Sequence, residues 1–393
     1  MELTKKQEEG LKIILQRYKD HQKYTVISGY AGTGKSTLVK FAIEALGTDK
    51  DKVAYATFTG KAAEVLHKKG NDRVMTLHRL LYEHIPKLGG GFIRRAKHIL
   101  EYTVVVVDEV SMVPKSMIDL LLSHNVYVIF LGDPFQLPQI DKTEEHDLLN
   151  HPHVFLDEVM RQAAESEIIR MTMQIRNFEP IQYNHGSEVI VMPYDELVDG
   201  CYTWADQIIT ATNAKRQGIN RYMRQANGYS GLPQEGERII CLRNYWDDVS
   251  NTRDALVNGT TGIIHNPREG FRMIPPYVNT SCNRKLETIV CEFETDDGSI
   301  FTNVEIDKNL IMGGEKCVDW RTSYALGKLR NRIGDIVPRE FDFGYAITGH
   351  KAQGSQWEKV LVLEESFPFD NIEHARWLYT ACTRPENKLV LVR

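Results

Sequence analysis

Several kinds of protein are excluded by what this 393-residue sequence lacks. Its six cysteines, Cys201, Cys241, Cys282, Cys291, Cys317 and Cys382, form no C-x-x-C pair and no Cys/His cluster with zinc spacing. Scattered reduced thiols are therefore expected, which suits a cytoplasm. No apolar run approaches the roughly 18 residues that a membrane span needs. The first ten residues, MELTKKQEEG, lack the apolar core of a signal peptide. The expectation is a cytoplasmic protein with no membrane partner. Internal repeats and low-complexity segments are missing too. Neither charge sign dominates: 48 basic and 53 acidic residues leave a net charge of −5. That balance does not call for a polyanionic partner, yet it does not exclude one, because a groove that tracks phosphates needs only a local basic patch. The apolar and charged fractions, 42% and 26%, are those of a globular protein, and the length allows two or three domains.

The strongest feature present is TVISGYAGTGKSTLVKF, Thr25 to Phe41. A β-branched run reads as a buried strand, breaks at Gly29 and resumes as a helical pattern after Gly34. Within it, GYAGTGKS (Gly29 to Ser36) fits G-x-x-x-x-G-K-[ST] without mismatch. Gly29, Gly32 and Gly34 let the loop turn tightly, so that successive backbone N–H groups, including that of Thr33, point at phosphates. Lys35 supplies a mobile charge for the β- and γ-phosphates and is expected to face solvent in the empty loop. Ser36 offers its hydroxyl to Mg²⁺, and the helix beginning at Lys35–Ser36–Thr37 presents its positive end to the anion. ATP and Mg²⁺ are the implied ligands.

From Met1 to about Leu156 strand and helix alternate, with continuous apolar runs at Thr25–Ile27, Val53–Phe58, Val104–Val107 and Val126–Leu131. Such runs indicate strands of a parallel sheet buried on both faces. The stretch from Leu80 to Arg95, with KLGGGFIRR, interrupts the rhythm: it is either a β-hairpin with Phe92 near its tip or a surface loop. A second α/β segment starts at Gln207–Thr210 and includes a strand at Arg238–Leu242. From Gly262 to about Phe341, short alternating runs flank Asp296–Gly298, which predicts a hairpin within a small all-β insertion. The α/β pattern then returns, at Gly344–Thr348, Val360–Glu364 and Leu389–Val392. The predicted division is 1–164, with an insertion at 80–97; 165–261 joined to 342–393; and 262–341.

VVVVDEVSM places Asp108 and Glu109 at the end of a buried strand. In the same sheet as the phosphate loop, Asp108 can share the Mg²⁺ held by Ser36, while Glu109 polarises an attacking water. LGDPFQLPQI ends the next strand, where the amide of Gln136 can sense a γ-phosphate; Gly-Asp-Pro alone reads equally as a turn.

Together GYAGTGKS, DEVSM and GDPFQLP resemble superfamily 1 DNA helicases of the RecD-like and phage Dda-like branch. FTGKAAEVL, TLHRLL, VMRQAAES, NGTTGII, GYAITGHKAQGSQWEKV and LYTACTRPENKLVLV follow in the order of that family's motifs. The resemblance implies two RecA-like parallel-sheet domains, an α/β fold, with a small β-hairpin insertion in the first and an SH3-like β-barrel insertion in the second. It implies that Gln7 meets the adenine base, that Arg161 and Arg384 neutralise the transferring phosphoryl group, and that Gly354 lies at the nucleotide. Tyr379 either packs on the nucleotide or belongs to the core. Phe58, Thr59, Lys61, Thr76, His78, Phe92, Asn213, Thr348, His350 and Lys351 become DNA-binding candidates through stacking and phosphate contacts. Thr76 and His78 have an alternative as a helix cap and a core histidine. The expected activity is ATP-dependent 5′→3′ translocation on single-stranded DNA with unwinding of forked duplexes, by a monomer that works with replication or recombination proteins in a bacterial or phage-infected cytoplasm.

Overall fold

Four consecutive valines, Val104 to Val107, are buried almost completely, and only a strand covered on both faces accommodates such a run. The computed structural model, which describes residues 3–86, 92–98, 100–138, 142–251, 255–333, 335–367 and 370–393, builds a six-stranded parallel sheet around them. The first part of the chain runs α1 (Lys5–Lys19), β1 (Tyr24–Gly29), α2 (Lys35–Leu46), β2 (Val53–Thr57), α3 (Gly60–Lys68), β3 (Val74–Thr76) and α4 (Leu77–Leu81). An antiparallel hairpin follows, β4 (Tyr82–Pro86) and β5 (Phe92–Ala96), so this insertion takes the hairpin alternative; residues 87–91 and the side chain of Phe92 lie outside the described part. Then come β6 (Val104–Val107), α5 (Lys115–Leu122), β7 (Tyr127–Gly132), β8 (Val154–Leu156), α6 (Arg161–Ala164) and α7 (Glu167–Arg176).

The sheet order β3-β2-β6-β7-β1-β8 inserts β7 between the phosphate-loop strand and the carboxylate strand. Parallel register aligns Ser28 with Gly132 and Val107 with Phe130, so the residues after all three strands leave at one edge. Ile14 of α1 and Leu38, Val39 and Ala42 of α2 cover this sheet over Ile27, Val106, Ile129 and Val154. Gly10 permits the approach of α1, since a Cβ there would come within 2.7 Å of Val154.

The chain continues with β9 (Asn184–His185), β10 (Val189–Met192), α8 (Asp199–Trp204), β11 (Gln207–Thr210), α9 (Asn213–Ala226), β12 (Arg238–Cys241), β13 (Tyr245–Val249) and β14 (Ala255–Leu256). Next are β15 (Thr261–Met273), β16 (Lys285–Thr295), β17 (Ile300–Asp307), α10 (Lys308–Ile311), α11 (Trp320–Ile333) and β18 (Phe341–Phe343). It ends with β19 (Ala346–Thr348), α12 (Gly349–Ala352), β20 (Trp357–Leu363), α13 (Asn371–Cys382) and β21 (Pro385–Val392). The second sheet, β19-β11-β20-β21-β10-β9, pairs in parallel along β11, β20, β21 and β10, with β9 antiparallel at the edge.

Packing divides the chain into two units. Met1–Leu81, Lys97–Asn213 and Ile347–Arg393 hold both six-stranded sheets; Tyr82–Ala96 and Ala214–Ala346 form the other. This differs from the expected division, which separated the two parallel sheets and assigned the hairpin to the first and residues 214–261 to the second. Arg238–Cys241 belongs to the antiparallel sheet β17-β16-β15-β12-β18, where it pairs with β15 and β18, and not to the second parallel sheet. A four-residue apolar run carries no periodicity that would tell the two environments apart. The region 262–341 is also not purely β, since α11 covers a satellite core of Ile274, Val278, Leu286, Val318 and Leu326. Gly298, at φ +82°, closes the β16–β17 turn that Asp296–Gly298 encodes.

In this second unit, α9 is tied to the antiparallel sheet by a buried ion pair. Arg224 Nε and Nη2 donate to the Glu237 carboxylate at 2.7 and 2.9 Å, Nη1 and Nη2 also reach the carbonyls of Gly231 and Leu232, and the guanidinium lies 4.0 Å over the Phe343 ring. Glu237 is fully buried. Arg224→Met should cost about 3–5 kcal/mol by leaving that carboxylate without its counter-charge. Chemical denaturation monitored by circular dichroism measures it; a loss under 1 kcal/mol would contradict the pair's role.

Candidate functional site

The loop after β1 turns through Gly32 at φ +74° and Gly34 at φ +78°, a backbone that side chains rarely adopt. Space demands glycine as well: a Cβ on Gly34 would run into the Gln7 amide and Met160. Thr33 is buried, with its hydroxyl donating to Tyr30 O at 2.9 Å. Lys35, which opens α2, does not face solvent as the sequence reading expected. Its Nζ donates to the carbonyls of Gly29 and Tyr30 at 2.7 and 2.9 Å. An ammonium carries three donors and satisfies them on the nearest acceptors, here the loop's own carbonyls. Ser36 is exposed at the first turn of α2, and Thr37 is half-buried beside it.

Gln7 sits beneath this loop, 1% exposed. Its oxygen accepts from Thr4 N in a capping box that starts α1, and its Nε2 donates to Gly34 O at 3.3 Å and contacts Met160 Sδ at 3.6 Å. Met160 N in turn donates to Gly32 O at 2.9 Å. The backbone of Arg161 is thereby held next to the loop, while its side chain lies outside the described part.

At the same sheet edge, Glu109 N donates to Asp108 Oδ1 at 2.9 Å, and Glu109 takes a left-handed conformation, φ +53°. Burial and the adjoining Glu109 carboxylate push the Asp108 carboxyl up to about 6, against the pull of Lys35. Gln136, after β7, spans the gap to the second sheet. With its amide oriented to suit its neighbours, the nitrogen donates to Glu109 Oε2 at 3.2 Å and the oxygen accepts from Arg384 Nη2 at 3.3 Å. Arg384 is buried at the end of α13; Nε donates to Thr380 O at 2.9 Å and Nη2 to Thr383 Oγ1 at 2.8 Å. Burial lowers its pKa, with Glu109 and Asp133 opposing.

A second polar path runs alongside. The Tyr379 hydroxyl donates to Asp133 Oδ2 at 2.6 Å and accepts from Ala31 N at 2.9 Å, so this residue of α13 grips the phosphate loop. Its ring meets Phe135 edge-on at 5.2 Å. Leu137 is held at both ends of its backbone, N–H to Thr380 Oγ1 at 2.9 Å and carbonyl to Gln353 Nε2 at 2.6 Å. Sequence reasoning passed over Asp133, Thr380 and Gln353. All three lie in motifs already singled out, and Asp133 was hidden by the turn reading of Gly-Asp-Pro.

Among the described residues no group of three or more His, Cys, Asp or Glu side chains is arranged to hold a metal. One hydroxyl and one carboxylate, Ser36 and Asp108, fit the sparse protein ligation of Mg²⁺, which keeps waters and takes substrate phosphate oxygens.

Comparison with known proteins matches residues 2–186 to an AAA domain and 343–392 to a UvrD-like helicase C-terminal domain. The ATP-dependent RecD2 DNA helicase of Deinococcus radiodurans is 26% identical over 92% of this chain and 46% of its own length. The ATP-dependent DNA helicase dda of Enterobacteria phage T4 is 28% identical over 51% of this chain and 45% of its own. The chain thus spans about half the length of these two relatives. A Bacteroides Pif1 helicase, solved with ADP-AlF3 and single-stranded DNA, shares the fold across 100% of this chain and 92% of that one, with TM-score 0.51 and 18% identity. The chain is thus similar to ATP-dependent DNA helicases of the RecD2 and Dda kinds, and it shares its fold with the Pif1 helicases.

The residues that resemblance to this helicase branch offers for DNA are placed as follows. Thr59 caps α3, its hydroxyl accepting from Ala62 N at 3.2 Å, and Lys61 is half-buried in the first turn. Phe58 and the buried His78 pack with ring centroids 5.6 Å apart. Thr76 accepts from Arg79 N at 3.2 Å, which is the capping alternative. Thr348 is buried before α12; His350 and Lys351 follow it, and burial lowers the His350 pKa. Asn213 is exposed at the start of α9. Gly354, φ +71°, lies against α3: a Cβ would come within 3.1 Å of Thr59 Oγ1 and 3.2 Å of Ala62.

Tyr379→Phe tests the polar path. It removes the partner of a buried carboxylate and of Ala31 N–H, so stability should fall by about 1–3 kcal/mol. Thermal unfolding measures this, and an unchanged midpoint would mean that the hydroxyl holds nothing.

Proposed function

We propose that this protein is an ATP-dependent DNA helicase that translocates 5′→3′ on single-stranded DNA and unwinds forked duplexes, acting as a monomer in a bacterial or phage-infected cytoplasm alongside replication or recombination proteins. The observation that carries the reading is the chain Glu109–Gln136–Arg384, which joins the carboxylate edge of the first sheet to a buried arginine beside the second. Bound ATP with Mg²⁺ supplies the phosphoanhydride; Lys35, the loop N–H groups, Ser36 and Asp108 would hold them, with Gln7, Gly29, Gly32, Thr33, Gly34, Thr37, Gly354 and Tyr379 shaping the pocket. Lys35 exchanges its loop carbonyls for phosphate oxygens. Glu109 accepts a proton from the attacking water, Gln136 reports the state of that carboxylate to Arg384, and Arg161 and Arg384 neutralise developing charge. Opening and closing this polar seam moves DNA over Phe58, Thr59, Lys61, Thr76, His78, Asn213, Thr348, His350 and Lys351.

Glu109→Gln should retain nucleotide affinity and lose hydrolysis, because an amide cannot take the proton. Arg384→Ala should slow DNA-stimulated turnover about 10³-fold or more at saturating ATP. Fluorescent-nucleotide titration and phosphate release separate the two effects; wild-type turnover in Glu109→Gln would remove Glu109 as the base.

Polarity rests on the two insertions. The hairpin β4–β5 is short, and the antiparallel sheet, which we read as the SH3-like barrel of the 5′→3′ branch, carries among the described residues helices no longer than the 14 residues of α11. Unwinding is expected from forks with a 5′ single-stranded tail and not from those with a 3′ tail, and the reverse outcome would refute the direction. With Phe92 as the separating pin, Phe92→Ala should impair unwinding while sparing DNA-stimulated ATPase.

A further inference from the structure

Helix α11 of the second unit buries one side and exposes two large aromatic rings on the other. Leu326, with Thr322, faces inward, and Ala325 and Leu329 pack partly beside the satellite core under the helix. On the outer side Trp320 is 74% exposed and Tyr324 63% exposed. Burying large aromatic rings is worth several tenths to a few kcal/mol, so two left in water on adjacent turns are unusual for a folded chain. Each ring has a cation over it, Arg321 5.4 Å from the Trp320 ring and Lys328 4.4 Å from that of Tyr324. Neither cation is paired with a carboxylate among the described residues. The helix sequence, WRTSYALGKLRNRI, carries four basic residues and no acidic one, in a chain whose net charge is −5.

We propose that the Trp320–Tyr324 face of α11 is a second nucleic-acid contact, one that stacks the bases of single-stranded DNA and pairs its phosphates with Arg321 and Lys328. This goes beyond the motif residues of the helicase reading and rests on it for the identity of the polyanion. Three features favour DNA over a protein partner. Among the described side chains of the helix, the exposed positions are Trp320, Arg321, Tyr324, Gly327 and Lys328, with no aliphatic anchor of the kind a protein groove takes at i, i+3, i+4 and i+7. Lysine is depleted from protein interfaces but tracks phosphates. Two rings four residues apart stand about 6 Å apart along the helix axis, each with a π-face that any base can use.

The test uses the full chain and fluorescein-labelled oligo(dT). Trp320→Ala combined with Tyr324→Ala should weaken binding about tenfold or more, the scale expected when two stacking rings are lost. DNA-free ATPase and the unfolding temperature should stay at parent values, since both side chains are exposed. Trp320→Phe should restore most of the affinity while abolishing the part of tryptophan quenching by oligo(dT) that comes from position 320. Binding by the double variant within twofold of the parent overturns the proposal and turns the face toward a protein partner. Failure of the parent itself to bind oligo(dT) would instead defeat the helicase reading, and this contact with it.

Discussion

A buried amide, that of Gln136, is central among the hydrogen-bonding groups that join the two parallel sheets. On one side it meets the half-buried Glu109, on the other the buried Arg384. A buried guanidinium is tolerable only when its donors are occupied and a counter-charge is near. Thr380, Thr383 and Ser355 supply the acceptors, and Glu109, through the amide, the charge. Hydrogen bonds of Gln136, Tyr379, Thr380 and Gln353 therefore cross the seam, beside the edge-on contact of the Tyr379 and Phe135 rings.

The amide reaches both partners because of strand order. With β7 between β6 and β1, the residues following three buried strands emerge as neighbours: Asp108 and Glu109, Asp133 to Gln136, and the phosphate loop. Parallel pairing makes this unavoidable, since every strand delivers its C-terminal residues to one edge. Tyr379 exploits the same edge, spanning from Asp133 to Ala31, so the loop is held from the second sheet as well as by its own glycines.

Much of this could be read before any coordinates. Long apolar runs and the G-x-x-x-x-G-K-S spacing leave few alternatives for the first sheet, and Asp-Asp-Gly announces its hairpin. Arg238–Cys241 was misplaced because a run of four apolar residues fits a parallel sheet and an antiparallel one equally well; only its pairing with Thr261–Ile263 and Phe341–Phe343, far along the chain, settles it. The direction of Lys35 was misjudged for another reason: whether an ammonium meets water or backbone depends on how the carbonyls of Gly29 and Tyr30 point. Asp133, Thr380 and Gln353 escaped because each is unremarkable in sequence and gains its role only across a contact.

Gly354 shows how such a contact links distant motifs. Its left-handed backbone and lack of a side chain allow it to sit on Thr59, the residue whose hydroxyl caps α3, with Met112, just past the carboxylate pair, close by. Immediately before it, Gln353 holds the carbonyl of Leu137, adjacent to Gln136. One short stretch after α12 thus touches the cap of α3 and the strand-end segment bearing the bridging amide. Displacing the second sheet from the first must strain both contacts together, because two consecutive residues cannot move independently by more than their shared peptide allows. Coupling between the nucleotide edge and the α3 cap then follows from chain connectivity, without a relay of side chains between them.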